Sequence, residues 1–217
     1  MAECRECEVK FRIASRGDYL ELRDSARWGT RGPAIRQVNH YFDTSDLDLA
    51  RRRMLLRIRE AETCVLTLKC GEEVSPGNFD SLEIEAPVTR ELLERALAHP
   101  PSLLDEDLPA VRELSRRLGR PGLVLAGTLV NERVRRDVAG WTLELDRLTF
   151  PDGSERYELE VEVETNEVAA LRDWVDRELV ARGLRLEPER LTKFERLLEW
   201  YRASGAERGG GTTHGRD

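Results

Sequence analysis

The run Glu6-Cys7-Glu8-Val9-Lys10-Phe11 alternates charged with apolar residues. Successive side chains of an extended strand point to opposite faces, so Glu6, Glu8 and Lys10 share one face and Cys7, Val9 and Phe11 the other. The apolar face suits a core. The charged face needs a separate account, because like charges at i and i+2 lie only about 7 Å apart and repel unless a counter-charge sits between them.

The same habit recurs along the chain: Arg57 and Arg59 in L-L-R-I-R, Lys69 in L-T-L-K, Glu83 and Glu85 in L-E-I-E, Glu144 and Asp146 in L-E-L-D, and Glu158, Glu160 and Glu162 in E-L-E-V-E-V. An antiparallel sheet with one solvated side also alternates, but such faces mix Thr, Ser, Lys, Gln and Glu. Here carboxylate follows carboxylate and guanidinium follows guanidinium. The pattern points to strands whose apolar faces pack on helices and whose charged faces line a shared interior.

Between the strands, Ser15 is placed to cap a short helix carrying Tyr19, Leu20 and Leu22, and Thr89 to cap R-E-L-L-E-R-A-L-A. A further helix through P-A-V-R-E-L-S-R-R-L ends at Gly119, so residues 89–119 form a helical layer outside the sheet. E-V-A-A-L-R-D-W-V-D-R-E-L-V-A-R, ended by Gly183, and L-T-K-F-E-R-L-L-E-W-Y-R-A, with Thr192 near its start, are amphipathic helices. G-E-E-V-S-P-G-N-F-D reads as loop through Gly71, Pro76 and Gly77.

About eight strands is too many for a flat sheet that must shelter one charged side. Closure removes the edges and leaves a lumen able to hold one small ligand. The expected fold is α+β, a closed eight-stranded antiparallel β-barrel, or tunnel, with helices packed outside. Residues 1–203 are read as a single domain and the Gly-rich 204–217 as a disordered tail.

The 217 residues are 40% hydrophobic and 35% charged, with net charge -7, which argues against a general nucleic-acid binder. No apolar run reaches the roughly 18 residues of a membrane span and the first residues lack a signal-peptide pattern, so a cytoplasmic location and no membrane partner are expected. Cys4 and Cys7 form a C-x-x-C, and Cys64 and Cys70 are a second pair. Cys64 and Cys70 lie too far apart on one strand to share a metal, and Cys7 is on an apolar face, so neither zinc nor a disulfide is expected.

Sorted by sign, the inward candidates are carboxylates at 6, 8, 83, 85, 144, 146, 158, 160 and 162 and bases at Lys10, Arg57, Arg59, Lys69, Arg133, Arg135 and Lys193. Hard divalent cations take oxygen ligands, and phosphate oxygens take Arg and Lys. A metal-bound polyphosphate meets both demands.

E-C-E-V-K resembles the E-x-E-x-K signature of the CYTH group, the triphosphate tunnel metalloenzymes, which includes inorganic and thiamine triphosphatases and class IV adenylate cyclases. Further elements follow in order: N-H-Y-F-D-T at 39–44, R-I-R at 57–59, T-L-K at 67–69, L-E-I-E at 82–85, N-E-R at 131–133, L-E-L-D at 143–146, E-L-E at 158–160 and L-T-K at 191–193. The resemblance implies a triphosphate lying along the tunnel. Lys10, Arg57, Arg59, Lys69, Arg133 and Lys193 would form the phosphate cradle, with Lys10, Arg57, Arg59 and Lys69 as catalytic bases stabilising charge. Glu6, Glu8, Asp146, Glu158 and Glu160 would hold Mg²⁺ or Mn²⁺, and Glu83 would position Arg or Lys.

Beyond those positions, Glu162 and Glu164 are read as rim residues, Glu85, Glu144 and Arg135 as ion-pairing groups, and His40 as a surface or packing residue. Three functions remain open: a metal-dependent triphosphatase, an adenylate cyclase, and a noncatalytic polyphosphate or nucleotide binder. The triphosphatase ranks first because N-H-Y-F-D-T looks more like the hydrolase members and no separate base-recognition feature is evident. The chain would act on a small-molecule triphosphate as a monomer or homodimer.

Overall fold

A computed structural model describes residues 2–206 and 208, the side chains of residues 2–4 and 72 excepted. Eight antiparallel strands carry the architecture: β1 (Ala2–Ile13), β2 (Thr30–Thr44), β3 (Met54–Glu60), β4 (Cys64–Ser75), β5 (Asn78–Val88), β6 (Leu123–Val138), β7 (Trp141–Thr149) and β8 (Glu155–Val163). They run β5-β4-β3-β2-β6-β7-β8-β1, and β1 pairs again with β5, so the sheet closes into a barrel. The first strand is the seam. Residues 2–9 pair with β5 and residues 7–13 with β8, a stagger that tilts the strands as closure requires. A ninth strand, β9 (Leu186–Pro188), absent from the sequence reading, continues beside residues 11–13 where β5 has ended.

The apolar halves of the alternating strands face outward into two helical layers. Met54, Leu56, Ile58, Leu66, Leu68 and Ile84 pack under α3 (Arg90–Ala98), a 3₁₀ stretch at Pro100–Asp105 and α4 (Pro109–Leu118). On the other side, Val9, Phe11, Leu143, Leu145, Leu159 and Val161 pack under α1 (Arg16–Asp24) and α5 (Val168–Trp174). The helix after α5 continues as a π-helical stretch at Val175–Leu179 and a 3₁₀ turn ending at Gly183, rather than as the uniform α-helix expected.

Caps fall where the polar residues stand. Ser15 accepts from Asp18 N, Thr89 from Leu92 N and Thr192 from Glu195 N, the last completed as a capping box. Asp43 accepts from Thr44, Leu49 and Ala50 N–H groups and so fixes the link to α2 (Asp48–Arg51).

The loop expected over 71–80 is corrected. Strand β4 runs to Ser75 and β5 starts at Asn78, leaving Pro76 and Gly77 as the turn. Gly71 is inside the strand, where a Cβ would sit 2.4 Å from both Asp80 O and Ser81 Cβ. A residue that reads as a breaker is thus what lets β4 lie against β5.

At one end of the barrel the lumen-facing positions turn apolar. Tyr41, Leu129 and Leu148 pack there with Phe194, Leu197, Leu198 and Tyr201 of α6 (Lys193–Ser204). Gly127 on β6 makes room, since a Cβ would approach Leu197 Cδ2 at 2.8 Å. No helix of the described residues is long and apolar enough to cross a membrane. Of the Gly-rich tail, residues 207 and 209–217 lie outside the described residues, as does the Cys4 thiol; Cys7, Cys64 and Cys70 are free thiols.

Candidate active site inside the tunnel

The charged faces converge as the alternation demands. One cavity of about 560 Å³ is lined by Glu6, Glu8 and Lys10 of β1, Arg57 and Arg59 of β3, Lys69 of β4, Glu83 and Glu85 of β5, Arg133 and Arg135 of β6, Glu160 and Glu162 of β8, and Lys193 at the start of α6. Asp146 and Glu158 stand directly behind, in ion pairs with the same bases. The solvated-face alternative fails on burial: Glu8, Lys10, Glu83, Glu144, Asp146, Glu158, Glu160 and Lys193 are all buried.

Strand register explains who meets whom. Lys10 lies opposite Glu160, Asp146 opposite Arg133 and Lys69 opposite Glu83. Lys10 Nζ is 2.9 Å from Glu160 and 3.1 Å from Glu8. Lys69 contacts Glu83 at 2.5 Å, Glu6 at 3.5 Å and Glu8 at 3.6 Å. Arg133 donates to Asp146 at 2.8 and 2.6 Å, to Glu160 at 2.6 Å and to Glu144. Lys193 reaches Asp146 at 2.9 Å and also bonds Glu160.

This network holds most charges in place. Burial alone would lower the pKa of Lys10, Arg133 and Lys193, but their carboxylate neighbours outweigh it and hold each above its ordinary value. Glu160 is correspondingly held well below the carboxylate range: burial opposes ionisation, and Lys10, Lys193 and Arg133 overcome it. Two carboxyls behave differently. Burial, reinforced by Glu83 against the pull of Lys69, pushes Glu6 up to about 7. Burial also pushes Glu158 to about 7, because Lys193 and Lys10 only partly offset it and Glu160 adds repulsion.

Glu158 is a buried carboxylate without a hydrogen bond. Both its oxygens are buried and unpartnered, and Lys193 Nζ, at 3.6 Å, is beyond hydrogen-bond reach. Arg57 is its counterpart among the bases, with its Nε buried and unpartnered and, among the described residues, no carboxylate within ion-pair distance. Beside it Arg59 has one contact, Glu85 at 3.5 Å.

The remaining sequence candidates are also placed. Glu85 accepts from Thr67, Glu144 bridges Arg133 and Arg135, and Glu162 is exposed at the rim. Glu164 caps the following helical turn. His40 faces outward and is buried, with Nδ1 3.1 Å from Thr128 Oγ1 and Nε2 3.6 Å from Glu60. Among the described residues, no group of three or more acidic, His or Cys side chains is already gathered around one point as a metal centre; the candidate ligands are engaged by lysines and arginine.

Several residues escaped the sequence reading. Gln37, Asn39, Tyr41 and Asn131 line the same cavity and carry no charge to betray them. Their signal was parity, since 37, 39 and 41 alternate with Val38, His40 and Phe42. Arg136, next to the lumen residue Arg135, faces outward and is 2% exposed. Its guanidinium donates to the carbonyls of Arg23, Ser25, Trp28 and Gly29 and ties the segment after α1 to the barrel.

With this geometry in hand, the relatives can be placed. No curated protein matches the chain. Among solved structures, a Hippeastrum protein described as an adenylyl cyclase candidate with a dominant triphosphatase activity is 27% identical, with TM-score 0.76 over 90% of this chain and 96% of that one. A Bacillus halodurans protein described as a candidate adenylate cyclase is 26% identical, with TM-score 0.67 over 88% and 97%. A Pyrococcus horikoshii protein at 22% identity and TM-score 0.54, over 88% and 98%, shares the fold. The CYTH domain model matches residues 5–198. An eight-stranded charged tunnel and a match over nearly the whole barrel make the chain a member of the CYTH domain family.

Proposed function

We propose that the chain is a divalent-metal-dependent triphosphatase that cleaves the terminal phosphoanhydride of inorganic triphosphate or an organic triphosphate held in the tunnel. One observation carries the reading. The tunnel cavity is lined by Arg57, whose guanidinium has no carboxylate within ion-pair distance among the described residues, and behind the lining neither oxygen of Glu158 has a hydrogen-bond donor, so the site has room for an anion and a cation together.

Lys10, Arg57, Arg59, Lys69, Arg133 and Lys193 bind the phosphates. Each ammonium or guanidinium released from a carboxylate is taken up by a phosphate oxygen, so buried charge stays balanced. During phosphoryl transfer, Lys10, Arg57, Arg59 and Lys69 stabilise charge on the transferred group and the leaving diphosphate. Glu83, held against Lys69, positions that ammonium.

The carboxylates fit a hard cation by donor type, and the orphaned Glu158 oxygens mark where positive charge is missing. Glu6, Glu8, Asp146, Glu158 and Glu160 would hold Mg²⁺ or Mn²⁺, which when bound supplies charge neutralisation and an activated water. The Hippeastrum neighbour's dominant triphosphatase activity supports hydrolysis over cyclisation. So does the lining: Tyr41 and Phe194 stack on each other at 4.8 Å and Phe79 lies under Lys10, so none of these rings is free to sandwich a nucleobase.

The test is phosphate release from inorganic triphosphate, thiamine triphosphate and ATP in Mg²⁺ or Mn²⁺. Glu8→Gln and Lys69→Ala are expected to fold and lose turnover. Formation of cyclic AMP and pyrophosphate from ATP would sink the proposal, as would tight triphosphate binding without turnover.

A further inference from the structure

Resting on the triphosphate reading, we propose that Glu189 is a positioning residue for that reaction, fixing the spacing of Lys10 and Lys193 through its backbone N–H and through its carboxylate bond to Arg196 of α6. Glu189 is buried and is not one of the residues lining the cavity, so it acts on these bases and not on the substrate.

The strand partner of β1 changes at Lys10. Val9 is the last residue in register with β5, opposite Asn78, and Phe11 the first in register with β9, opposite Pro188. Lys10 falls in the gap, and both its backbone groups are met there: its N–H donates to Gly77 O at 2.7 Å, and its carbonyl accepts from Glu189 N at 3.0 Å. Backbone groups held on both sides aim the side chain, which here is a base 2.9 Å from Glu160. Gly77 is tied back to the same segment through Glu73, which accepts from Gly77 N at 2.9 Å and pairs with Arg190 at 3.2 Å.

The Glu189 carboxylate works in the other direction along the chain. Its Oε1 accepts from Leu191 N at 2.9 Å, and its Oε2 pairs with Arg196, three residues beyond Lys193 on α6. Lys10 and Lys193 both bond Glu160 Oε1. The two ammoniums that share this oxygen are therefore tied to one residue behind the lumen, Lys10 by its backbone and Lys193 by its helix. A buried ion pair is a weak source of stability, because desolvation takes back most of its attraction, so its consequence lies in the geometry it imposes. An apolar residue at 189 would fill the space and hold neither the Leu191 N–H nor Arg196.

Glu189→Gln, Arg196→Gln and the double variant are compared with wild type, and with Glu113→Gln as control. Glu113 pairs with Arg116 and Arg117 on α4, outside the barrel, so its loss reports stability without touching the site. KM and kcat are measured on inorganic triphosphate with Mg²⁺, binding of triphosphate by titration calorimetry with EDTA present, and melting temperature for each protein. Glu189→Gln and Arg196→Gln are expected to raise KM about tenfold and leave kcat within about threefold, because Lys193 holds phosphate in ground and transition state alike. The double variant should rise no further than the larger single change, since both break one clamp. Glu113→Gln should lower the melting temperature and keep the wild-type KM.

If Glu189→Gln folds and its KM and affinity stay within about twofold of wild type, the residue is structural only, the inference is overturned and the hydrolase reading stands. Rises in KM that multiply in the double variant would also overturn it, because the two residues would then act separately. If wild type neither binds nor turns over triphosphate, the hydrolase reading falls, and this inference with it. Should Glu189→Gln not fold, Arg196→Gln decides alone, since the Arg196 side chain is 19% exposed and an unchanged KM there overturns the inference equally.

Discussion

Glu158 sets the clearest terms for a single residue, because its carboxyl is buried, unbonded and pushed to about 7. The folded protein keeps this proton where the unfolded chain, near 4.5, has released it, so Glu158 subtracts stability as pH rises from about 4.5 to 7. Glu158→Gln should therefore stabilise the metal-free protein by about 2–3 kcal/mol at pH 8 and change little below pH 4.5, read by denaturant titration at both pH values. A loss of stability at pH 8 would mean that Lys193 and Lys10 already hold the carboxylate. Glu6 shares the shift, so kcat/KM should climb through an acid limb near pH 7 as both carboxylates ionise and become cation ligands. A profile flat from pH 5.5 to 8 would contradict that assignment. The charged residues of this site were legible in the sequence because repetition of like charge at i and i+2 has no other easy explanation. Asn39 and Tyr41 were not, because neutral polar residues on a strand look the same facing water or facing a ligand.

Among the elements, α6 does two jobs from adjacent residues. Thr192 caps it and Lys193, its first residue, enters the ion network. A cation at a helix N-terminus faces the positive end of the macrodipole, so Asp146 and Glu160 must hold it there. Thr192→Ala should cost about 1 kcal/mol of stability, seen as a lower melting temperature, and raise KM as Lys193 loses its fixed place. An unchanged KM would separate the cap from the site. On β4, Gly71→Ala should destabilise by at least about 1–3 kcal/mol, since its Cβ would strike β5 backbone. The strands, caps and outer helical layer were readable from period, Ser, Thr and terminal Gly. The continuation of β4 and β5 through 71–80 was not, because Gly71 and Pro76 carry breaker signals that the pairing with β5 overrides. Arg136 failed for a related reason: alternation turns it outward beside Arg135, but its four carbonyl partners come from a distant segment that no strand pattern shows.

For the whole molecule, closure is what converts striped strands into a site. The first strand pairs with β5 and β8 together, and it brings Glu6, Glu8 and Lys10 to the basic wall on one side and the carboxylates of β8 on the other. Opened at this seam, the same residues would be solvated charges worth little to one another. Closed, they are a buried ion network. The most direct measurement is product analysis of the purified chain with Mg²⁺ or Mn²⁺ on inorganic triphosphate and on ATP. Orthophosphate released from triphosphate, abolished in Lys69→Ala, is the predicted result; cyclic AMP with pyrophosphate from ATP, or no turnover of any triphosphate by a protein that binds it, is the result that would contradict it.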